Sequence, residues 1–176
     1  MPSSTQIISL NGKSFKEICS EILKLGEQLD AVKEAKQHVD KAIASRDELD
    51  SLPKYSRKIL SLEWIDPYFS AGHWVPEQIE IAGFRSAIGQ RGEHSRVISI
   101  EEIIESDPDD IAVICCGYKL HENKAFAERL KNNKEINFLK PFKANKIYSF
   151  DSDAYFSRPT TRLIEGAQQL RSAVLS

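Results

Sequence analysis

Apolar positions in this sequence follow two periods, which predict strands and helices in turn. Short apolar runs bounded by turn residues predict strands, as where Ile7 and Ile8 lead into the turn dipeptide Asn11-Gly12. Strands are predicted over residues 6–10, 58–64, 111–116, 136–139 and 146–150. Apolar residues at helical spacing predict helices, and Ser14 and Ser99 open two of them as capping residues. Helices are predicted over residues 15–26, 27–49, 75–82, 100–107, 122–132 and 160–174.

This alternation of strands and helices predicts an α/β fold. We expect three layers, with a mainly parallel sheet flanked by helices. Ligands of such sheets bind beyond the carboxyl ends of the strands. The loops that follow predicted strands are therefore candidate binding loops, and they cover residues 64–74, 117–120 and 151–162.

The predicted helix over residues 27–49 has a different character. It contains neither Gly nor Pro, and its apolar stripe is limited to Leu29, Val32, Val39 and Ile43. A stripe this thin indicates a long helix that is well solvated.

Composition narrows the class of protein. The 176 residues, 41% of them hydrophobic, are enough for one ordinary core, and a net charge of -2 without a basic stripe argues against a nucleic-acid partner. The apolar run 111–116 is far below the roughly 20 residues that span a bilayer, so no membrane span is expected. The first residues lack the features of a signal peptide, which predicts a cytoplasmic chain as it stands. An exported lobe encoded upstream would place it in the periplasm instead.

Aromatic side chains and one histidine gather in the loop after the second predicted strand. Trp64, Tyr68 and Trp74 offer ring faces on which a broad planar ligand would stack. Phe69 contributes less because it can turn inward, and His73 lies beside Trp74. Loops seldom expose this much apolar area without a covering partner. Either a ligand covers these rings, or they fill the seam between the sheet and a helix.

A second group of aromatic and polar residues follows the last predicted strand. Tyr155 and Phe156 offer ring faces, while Asp153, Ser157 and Arg158 offer hydrogen bonds to amide or carboxylate groups. This mixture suits a large amphipathic ligand.

Metal and acid–base sites have little support in the sequence. His73, His94 and His121 lie in separate segments without the spacing that brings two ligands to one metal, so neither a metal site nor a catalytic residue is predicted. Cys116 at a strand end could serve as a hydrolase nucleophile, but no motif ties an acid or a histidine to it. A reduced cysteine in the core is the competing interpretation.

The motifs in these loops resemble those of the cobalamin-binding proteins of the periplasmic-binding-protein-like group, which share the fold of vitamin B12 and ferric siderophore receptors. The resemblance covers nearly the whole chain. Its segments are Ser9-Leu10-Asn11, Leu62-Glu63-Trp64-Ile65-Asp66-Pro67, Ala71-Gly72-His73-Trp74-Val75-Pro76-Glu77, Cys116-Gly117-Tyr118 and Ala154-Tyr155-Phe156-Ser157-Arg158-Pro159. The tryptophan segments and the Ser-Arg-Pro segment are the most specific, whereas the general fold extends to haem and siderophore receptors.

The resemblance implies one lobe of a class III, helical-backbone receptor. Residues 1–26 would be the remnant strand and helix of the lobe junction, residues 27–52 the long interlobe helix, and residues 53–176 the C-terminal α/β ligand-binding lobe. The implied role is that of the substrate-binding component of an ABC transporter, not of an enzyme. Glu77 is the candidate residue for docking to the transporter permease.

The implied ligand is a corrinoid such as cobalamin, and His73 either ligates its cobalt or packs beside Trp74. Alternatives are a lobe that binds haem or a ferric siderophore, and an interaction module that binds no ligand and pairs with an N-terminal lobe or a second copy. The residues expected to contact the ligand are Trp64, Tyr68, Trp74, Tyr155, Phe156 and Arg158.

Overall fold

The computed structural model describes residues 7–176 as helices and strands in alternation. The helices are α1 (Phe15–Gln28), α2 (Val32–Asp50), α3 (Val75–Ile81), α4 (Ile100–Ser106), α5 (Leu120–Lys131), α6 (Lys140–Lys143), α7 (Ser152–Tyr155) and α8 (Leu163–Leu175). The strands are β1 (Lys58–Ile65), β2 (Tyr68–Ser70), β3 (Arg85–Ser86), β4 (Arg96–Val97), β5 (Asp110–Val113) and β6 (Ile147–Ser149).

One mixed sheet contains all of these strands, in the order β4-β2-β1-β5-β6, with β3 paired to the start of β1. The pairs β1–β5, β5–β6 and β1–β3 are parallel, and β1–β2 and β2–β4 are antiparallel. The parallel strands β1, β5 and β6 form one side of the sheet, and the antiparallel strands β2 and β4 extend it to the other edge. The parallel strands β1, β5 and β6 therefore end at the same side of the molecule.

Helices cover both faces of the sheet and make three layers. On one face, Ile59 of β1 and Ala112 of β5 join a core with α1, α2, α3 and α8. On the other face, Leu60 of β1 and Ile111 of β5 join a core with α4 and α5. Side chains alternate between these cores along each strand because successive residues of a strand point to opposite faces. The predicted α/β class with helices on both faces is confirmed.

Helices α1 and α2 form a closely packed pair that begins where Ser14 caps α1. The Ser14 hydroxyl accepts a hydrogen bond from the Glu17 amide, as the capping pattern predicts. The helix is predicted to end near Gly26, and α1 continues two residues further, to Gln28. Gly26 instead allows α2 to approach, since a Cβ atom there would collide with Ala35.

The buried stripe of α2 differs from the predicted one. Its buried residues are Ala35, Val39, Ala42 and Leu49, whereas Leu29, Val32 and Ile43 are exposed. Two of the buried positions are alanines, which a search for large apolar residues overlooks. Ala35 lies against Gly26 of α1, where a larger side chain would not fit.

Two predicted strands are absent from the described residues. Residues 7–10 pair with no strand, and Gln6 lies outside residues 7–176. Residues 134–138 form turns in which Ile136 is buried. Conversely, β2, β3 and β4 were not predicted, because strands of two or three residues carry too little periodicity to identify. No helix within residues 7–176 combines the length and apolar character needed to cross a membrane.

Candidate functional site

A cavity of about 320 Å³ lies at the carboxyl ends of the three parallel strands. Glu63 comes from the end of β1, Ile114 and Cys116 follow β5, and Ser152 and Phe156 follow β6. The position agrees with the rule that ligands of open α/β sheets bind beyond these strand ends. The other lining residues are Leu10, Asn11, Gly12, Gly72, His73, Trp74, Val75, Ser157 and Pro159.

One wall of the cavity is the segment Leu10–Gly12, which precedes α1. The carboxylate of Glu21 in α1 accepts hydrogen bonds from the Asn11 and Gly12 amides, each at 2.9 Å. The Lys13 amide donates to Glu17 at 2.7 Å. These bonds fix the wall to the first helix, so α1 and its preceding segment belong to the site.

A second wall is the turn that carries His73. This residue has a φ of 55°, a left-handed conformation that is uncommon for non-glycine residues. Its amide donates to the Glu93 carbonyl at 2.5 Å, and its carbonyl accepts from the Gly92 amide at 2.9 Å. A Cβ atom on Gly72 would collide with the backbone of Ser95, so the turn and the loop over residues 89–95 are in close contact.

Glu63 stabilises the same turn through a hydrogen bond to Ser95. The Ser95 hydroxyl donates to Glu63 Oε2 at 2.6 Å and accepts from the Gly72 amide at 3.1 Å. This relay links the end of β1 to the backbone next to His73. Glu63 was not predicted as a site residue, although its charged side chain within an apolar strand was a usable signal.

The imidazole of His73 is half-buried beside a second imidazole. Burial lowers the pKa of His73, the nearby His94 and Lys13 lower it further, and Glu63 partly offsets them. The rings of His73 and His94 meet edge to face with centroids 5.1 Å apart, and His94 Nε2 lies 3.5 Å from Lys13 Nζ. His73 is therefore neutral at pH 7 and faces the cavity as an uncharged ring.

Asn123 of α5 connects the segments that follow β5 and β6, a role that was not predicted from the sequence. Its buried side chain accepts from the Cys115 amide and donates to the Phe150 carbonyl, each at 2.9 Å. A third, longer bond joins it to the Tyr118 carbonyl at 3.3 Å. One side chain thus connects the segments that follow β5 and β6.

The structure brings two of the six predicted binding residues, Trp74 and Phe156, to this cavity, together with His73, the candidate cobalt ligand. Trp74, Phe156 and His73 line it together, and Ser157 lies beside them. Phe156 is almost fully buried and packs against Phe150 with ring centroids 5.5 Å apart. Trp74 and Phe156 are therefore the aromatic rings on the cavity wall.

Trp64 lies on the opposite face of the sheet. It follows Glu63 in β1, so its side chain points away from the cavity. Its ring packs near Tyr118 and Phe126, with centroids 5.7 and 6.4 Å away, and its Nε1 donates to the Asp66 carbonyl at 2.8 Å. About a third of the residue is exposed.

The remaining predicted contacts also lie away from the cavity. Tyr68 accepts a 2.6 Å hydrogen bond from Asn133, and the Tyr155 ring lies 4.7 Å from the Arg162 guanidinium. Arg158 is exposed and forms a 2.8 Å ion pair with Asp153. Arg158 nevertheless stands between two lining residues, Ser157 and Pro159.

Glu77, the candidate docking residue, is buried at the start of α3. Its Oε2 accepts a 2.7 Å hydrogen bond from the Phe15 amide, and its Oε1 lies 3.7 Å from Arg91. The carboxylate thereby satisfies an amide in the first turn of α1, which has no partner within its own helix. Docking through Glu77 would require it to leave these partners.

We expect Glu77→Ala to lower the free energy of unfolding by about 1–3 kcal/mol, because it leaves the buried Phe15 amide without an acceptor. The matched control is Glu80→Ala, on the same helix, where the exposed carboxylate pairs with Arg91 alone. That change should lower the free energy by less than about 1 kcal/mol. Urea denaturation of both variants measures the difference, and equal losses would contradict this role for Glu77.

The cysteines differ in exposure. Burial raises the pKa of Cys115 to about 12 and also raises that of Cys19, so both remain thiols. Cys116 is exposed at the cavity. Among residues 7–176, no group of three or more His, Cys, Asp and Glu side chains is placed to hold a metal ion.

Comparison with known proteins identifies the family. The model of the periplasmic binding protein family matches residues 4–154, whereas no curated protein matches the chain. A Listeria monocytogenes ABC transporter substrate-binding protein superimposes with a TM-score of 0.82 at 19% identity, over 94% of this chain and 66% of its own. S. aureus IsdE complexed with heme superimposes with a TM-score of 0.78 at 20% identity, over 93% of this chain and 66% of its own.

The periplasmic vitamin B12 binding protein BtuF of Vibrio cholerae gives a TM-score of 0.72 at 16% identity, over 96% of this chain and 64% of its own. The chain thus spans about two thirds of the length of these three structures. At identities this low, the structural similarity establishes a shared fold only. Family membership rests on the family model, which covers most of the sequence. The chain therefore belongs to the periplasmic binding protein family, a family of solute-binding proteins.

Proposed function

We propose that this chain is the C-terminal ligand-binding lobe of a receptor that binds a corrinoid and presents it to an ABC transporter. In this proposal residues 53–176 form the lobe, residues 27–52 the interlobe helix, and residues 1–26 part of the lobe junction. The protein binds its solute and does not act as an enzyme. The observation that carries the proposal is the cavity at the ends of β1, β5 and β6, lined by Trp74 and Phe156.

A corrin ring fits the chemistry of this cavity wall. Trp74 supplies an aromatic surface, and Phe156 forms the apolar floor beneath it. The Ser157 hydroxyl and the exposed Arg158 guanidinium stand at the edge, where the amide side chains of a corrinoid would lie. Apolar contact at the centre with polar groups around it is the usual composition of a ligand site.

Haem is a second candidate ligand. A planar porphyrin would use the same aromatic wall, and the neutral imidazole of His73 faces the cavity in which it would lie. The carboxylates of haem would pair with Arg158, whereas corrinoid amides would accept hydrogen bonds from it.

Membership of the periplasmic binding protein family supports a proposal for the partner and the location. We propose that the receptor works in the periplasm and docks on a transporter permease. Docking through Glu77 would require its carboxylate to give up the hydrogen bond from the Phe15 amide and to pair with a basic group of the permease instead.

Titration with hydroxocobalamin, followed by visible absorbance, tests the proposal. We expect a dissociation constant in the micromolar range, because one lobe supplies about half of the contacts of a two-lobed site while the entropy lost on association stays nearly the same. A loss of about 4 kcal/mol converts nanomolar into micromolar affinity. Unchanged spectra and no retained colour would contradict corrinoid binding, and a parallel titration with hemin would then test the second candidate.

The tryptophans allow a sharper prediction. Trp74→Ala should weaken corrinoid binding by about 1–3 kcal/mol, or roughly 5–150-fold, because it removes a large apolar face from the cavity. The control is Trp64→Ala, because the Trp64 ring lies on the opposite face of the sheet. The affinity of this variant for the corrinoid should stay within about 2-fold of that of the unsubstituted protein. Calorimetry measures both, with circular dichroism to confirm folding. The opposite ranking of the two variants would place the ligand elsewhere.

A further inference from the structure

We infer that a second cavity, next to the amino end of β1, binds a small multivalent anion that carries carboxylate or phosphate oxygens. This second cavity has a volume of about 430 Å³ and lies between the end of α2, α3 and the segments that lead into β1 and β3. The proposed ligand cavity, in contrast, lies at the carboxyl end of β1. The charged side chains that line the second cavity are the basic Arg46, Lys54, Arg85 and Arg91 and the acidic Asp50, Glu77 and Glu80.

A buried arginine next to the second cavity lacks a counter-charge. Arg171 of α8 is 9% exposed, and its guanidinium pairs with no carboxylate among residues 7–176. It lies 5.5 Å from the centroid of the Tyr55 ring, which lines the cavity. Burying a charge without an opposite charge nearby is costly, because the protein interior solvates it less well than water does. An anion bound near Tyr55 would supply the counter-charge that Arg171 lacks.

The same arginine fixes two segments of the cavity wall. Arg171 Nη1 donates to the Pro53 carbonyl at 3.0 Å and to the Ala82 carbonyl at 2.9 Å. The Tyr55 amide donates to the Gly83 carbonyl at 2.7 Å, which joins the two segments directly. A wall that is ordered in advance loses little entropy when a ligand binds. The backbone of the second cavity is therefore formed before the anion arrives.

The carboxylates of the second cavity are largely occupied by groups of the protein itself. One oxygen of Asp50 pairs with Lys54 Nζ and the other with Arg46 Nη2, each at 2.9 Å. Both oxygens of Glu77 also have partners, one of which is Arg91. A ligand therefore meets few free acceptors on this wall, and the acidic side chains do not offer a site for a cation.

Hydrogen-bond donors of the second cavity, in contrast, remain free. Among residues 7–176, the exposed Arg85 guanidinium pairs with no carboxylate, and the hydroxyls of Tyr55 and Ser56 have no hydrogen-bond partner. Lys54 keeps further N–H groups beside the one that meets Asp50. Guanidinium and ammonium groups form their strongest hydrogen bonds with carboxylate and phosphate oxygens. The ligand that suits this wall therefore brings negatively charged oxygen acceptors.

Citrate and inorganic phosphate are suitable probes, because together they present both kinds of oxygen and each carries more than one negative charge. We expect calorimetry with the full chain to give a dissociation constant of about 1 mM or below for at least one of them. The titrations are made at constant ionic strength in chloride, so that general screening of surface charges does not contribute.

Matched arginine variants locate the site. Arg85→Gln removes the free guanidinium but keeps a polar side chain, and it should weaken anion binding by at least about 5-fold. The control is Arg129→Gln, because Arg129 lies on α5 outside the second cavity and its side chain is 61% exposed. Its affinity for the anion should stay within about 2-fold of that of the unsubstituted chain. Circular dichroism verifies that both variants fold.

The outcomes separate this inference from the proposed function, on which it does not depend. Binding of neither anion at concentrations up to about 10 mM would overturn the inference and leave corrinoid binding in place. Equal affinity of Arg85→Gln and the unsubstituted chain would overturn it as well. Conversely, anion binding that Arg85→Gln weakens would support the second cavity even if the hydroxocobalamin titration fails.

Discussion

Replacing Asp110 by alanine should lower the free energy of unfolding by about 3–5 kcal/mol. Asp110 begins β5 and is fully buried, and its carboxylate accepts hydrogen bonds from Arg57 Nε at 2.9 Å and Nη2 at 2.5 Å. Arg57 also donates to the Val174 carbonyl, which ties α8 to the sheet. Removing the carboxylate leaves the guanidinium without its counter-charge. Arg57 is 26% exposed, which places the effect at the lower end of this range.

Urea denaturation measures this effect, and a surface ion pair provides the control. Lys140→Ala breaks the exposed pair with Asp107 and should lower the free energy of unfolding by less than about 1 kcal/mol. Arg57→Ala should be about as harmful as Asp110→Ala, since it leaves the buried carboxylate unpaired. Similar small losses in all three variants would show that the buried pair contributes no more than a surface pair.

Asn123→Ala should destabilise the protein by about 2–4 kcal/mol and weaken ligand binding as well. The change leaves the buried Cys115 amide and Phe150 carbonyl without partners, each at a cost of about 1–3 kcal/mol. It also releases the segments after β5 and β6, which form the floor of the cavity. Both stability and affinity therefore depend on this one side chain.

Asn132→Ala is the matched control for Asn123. Asn132 caps the same helix, but it is exposed and only bonds the Glu128 carbonyl one turn earlier. Its replacement should change the free energy of unfolding by no more than about 0.5 kcal/mol. Thermal unfolding compares the two variants, and hydroxocobalamin titration measures the effect on affinity. Equal stability of both variants would rule out a structural role for Asn123.

Elements with strong local signals were predicted well from the sequence. The strand over residues 58–64 corresponds to β1, and the capping box at Ser99 corresponds to the start of α4. Capping bonds and helical periodicity act between residues a few positions apart, so the sequence alone contains them. The same holds for the order of strands and helices, which was sufficient to predict the α/β class and the end of the sheet where a site should lie.

Elements that depend on distant partners were not predicted. Strands β2, β3 and β4 exist because β1 offers hydrogen bonds to β2 and β3, and β2 offers them to β4. The apolar residues near Ile136 suggested a strand, but they pack in turns against α5 and β5. The small size of Ala35 in α2 likewise depends on its contact with Gly26 of α1.

For the candidate site, the sequence by itself determined which loops follow parallel strands and which aromatic residues they contain. It left open which side chains meet. Glu63 and Trp64 are neighbours in sequence, but alternation along β1 sends the first to the cavity and the second to the opposite face. Only the tertiary structure decided this, along with the contributions of segment 10–12, Asn123 and the turn at His73. The physical reason is that a strand has two faces, and only packing against helices distant in sequence determines which of them is covered and which meets a ligand.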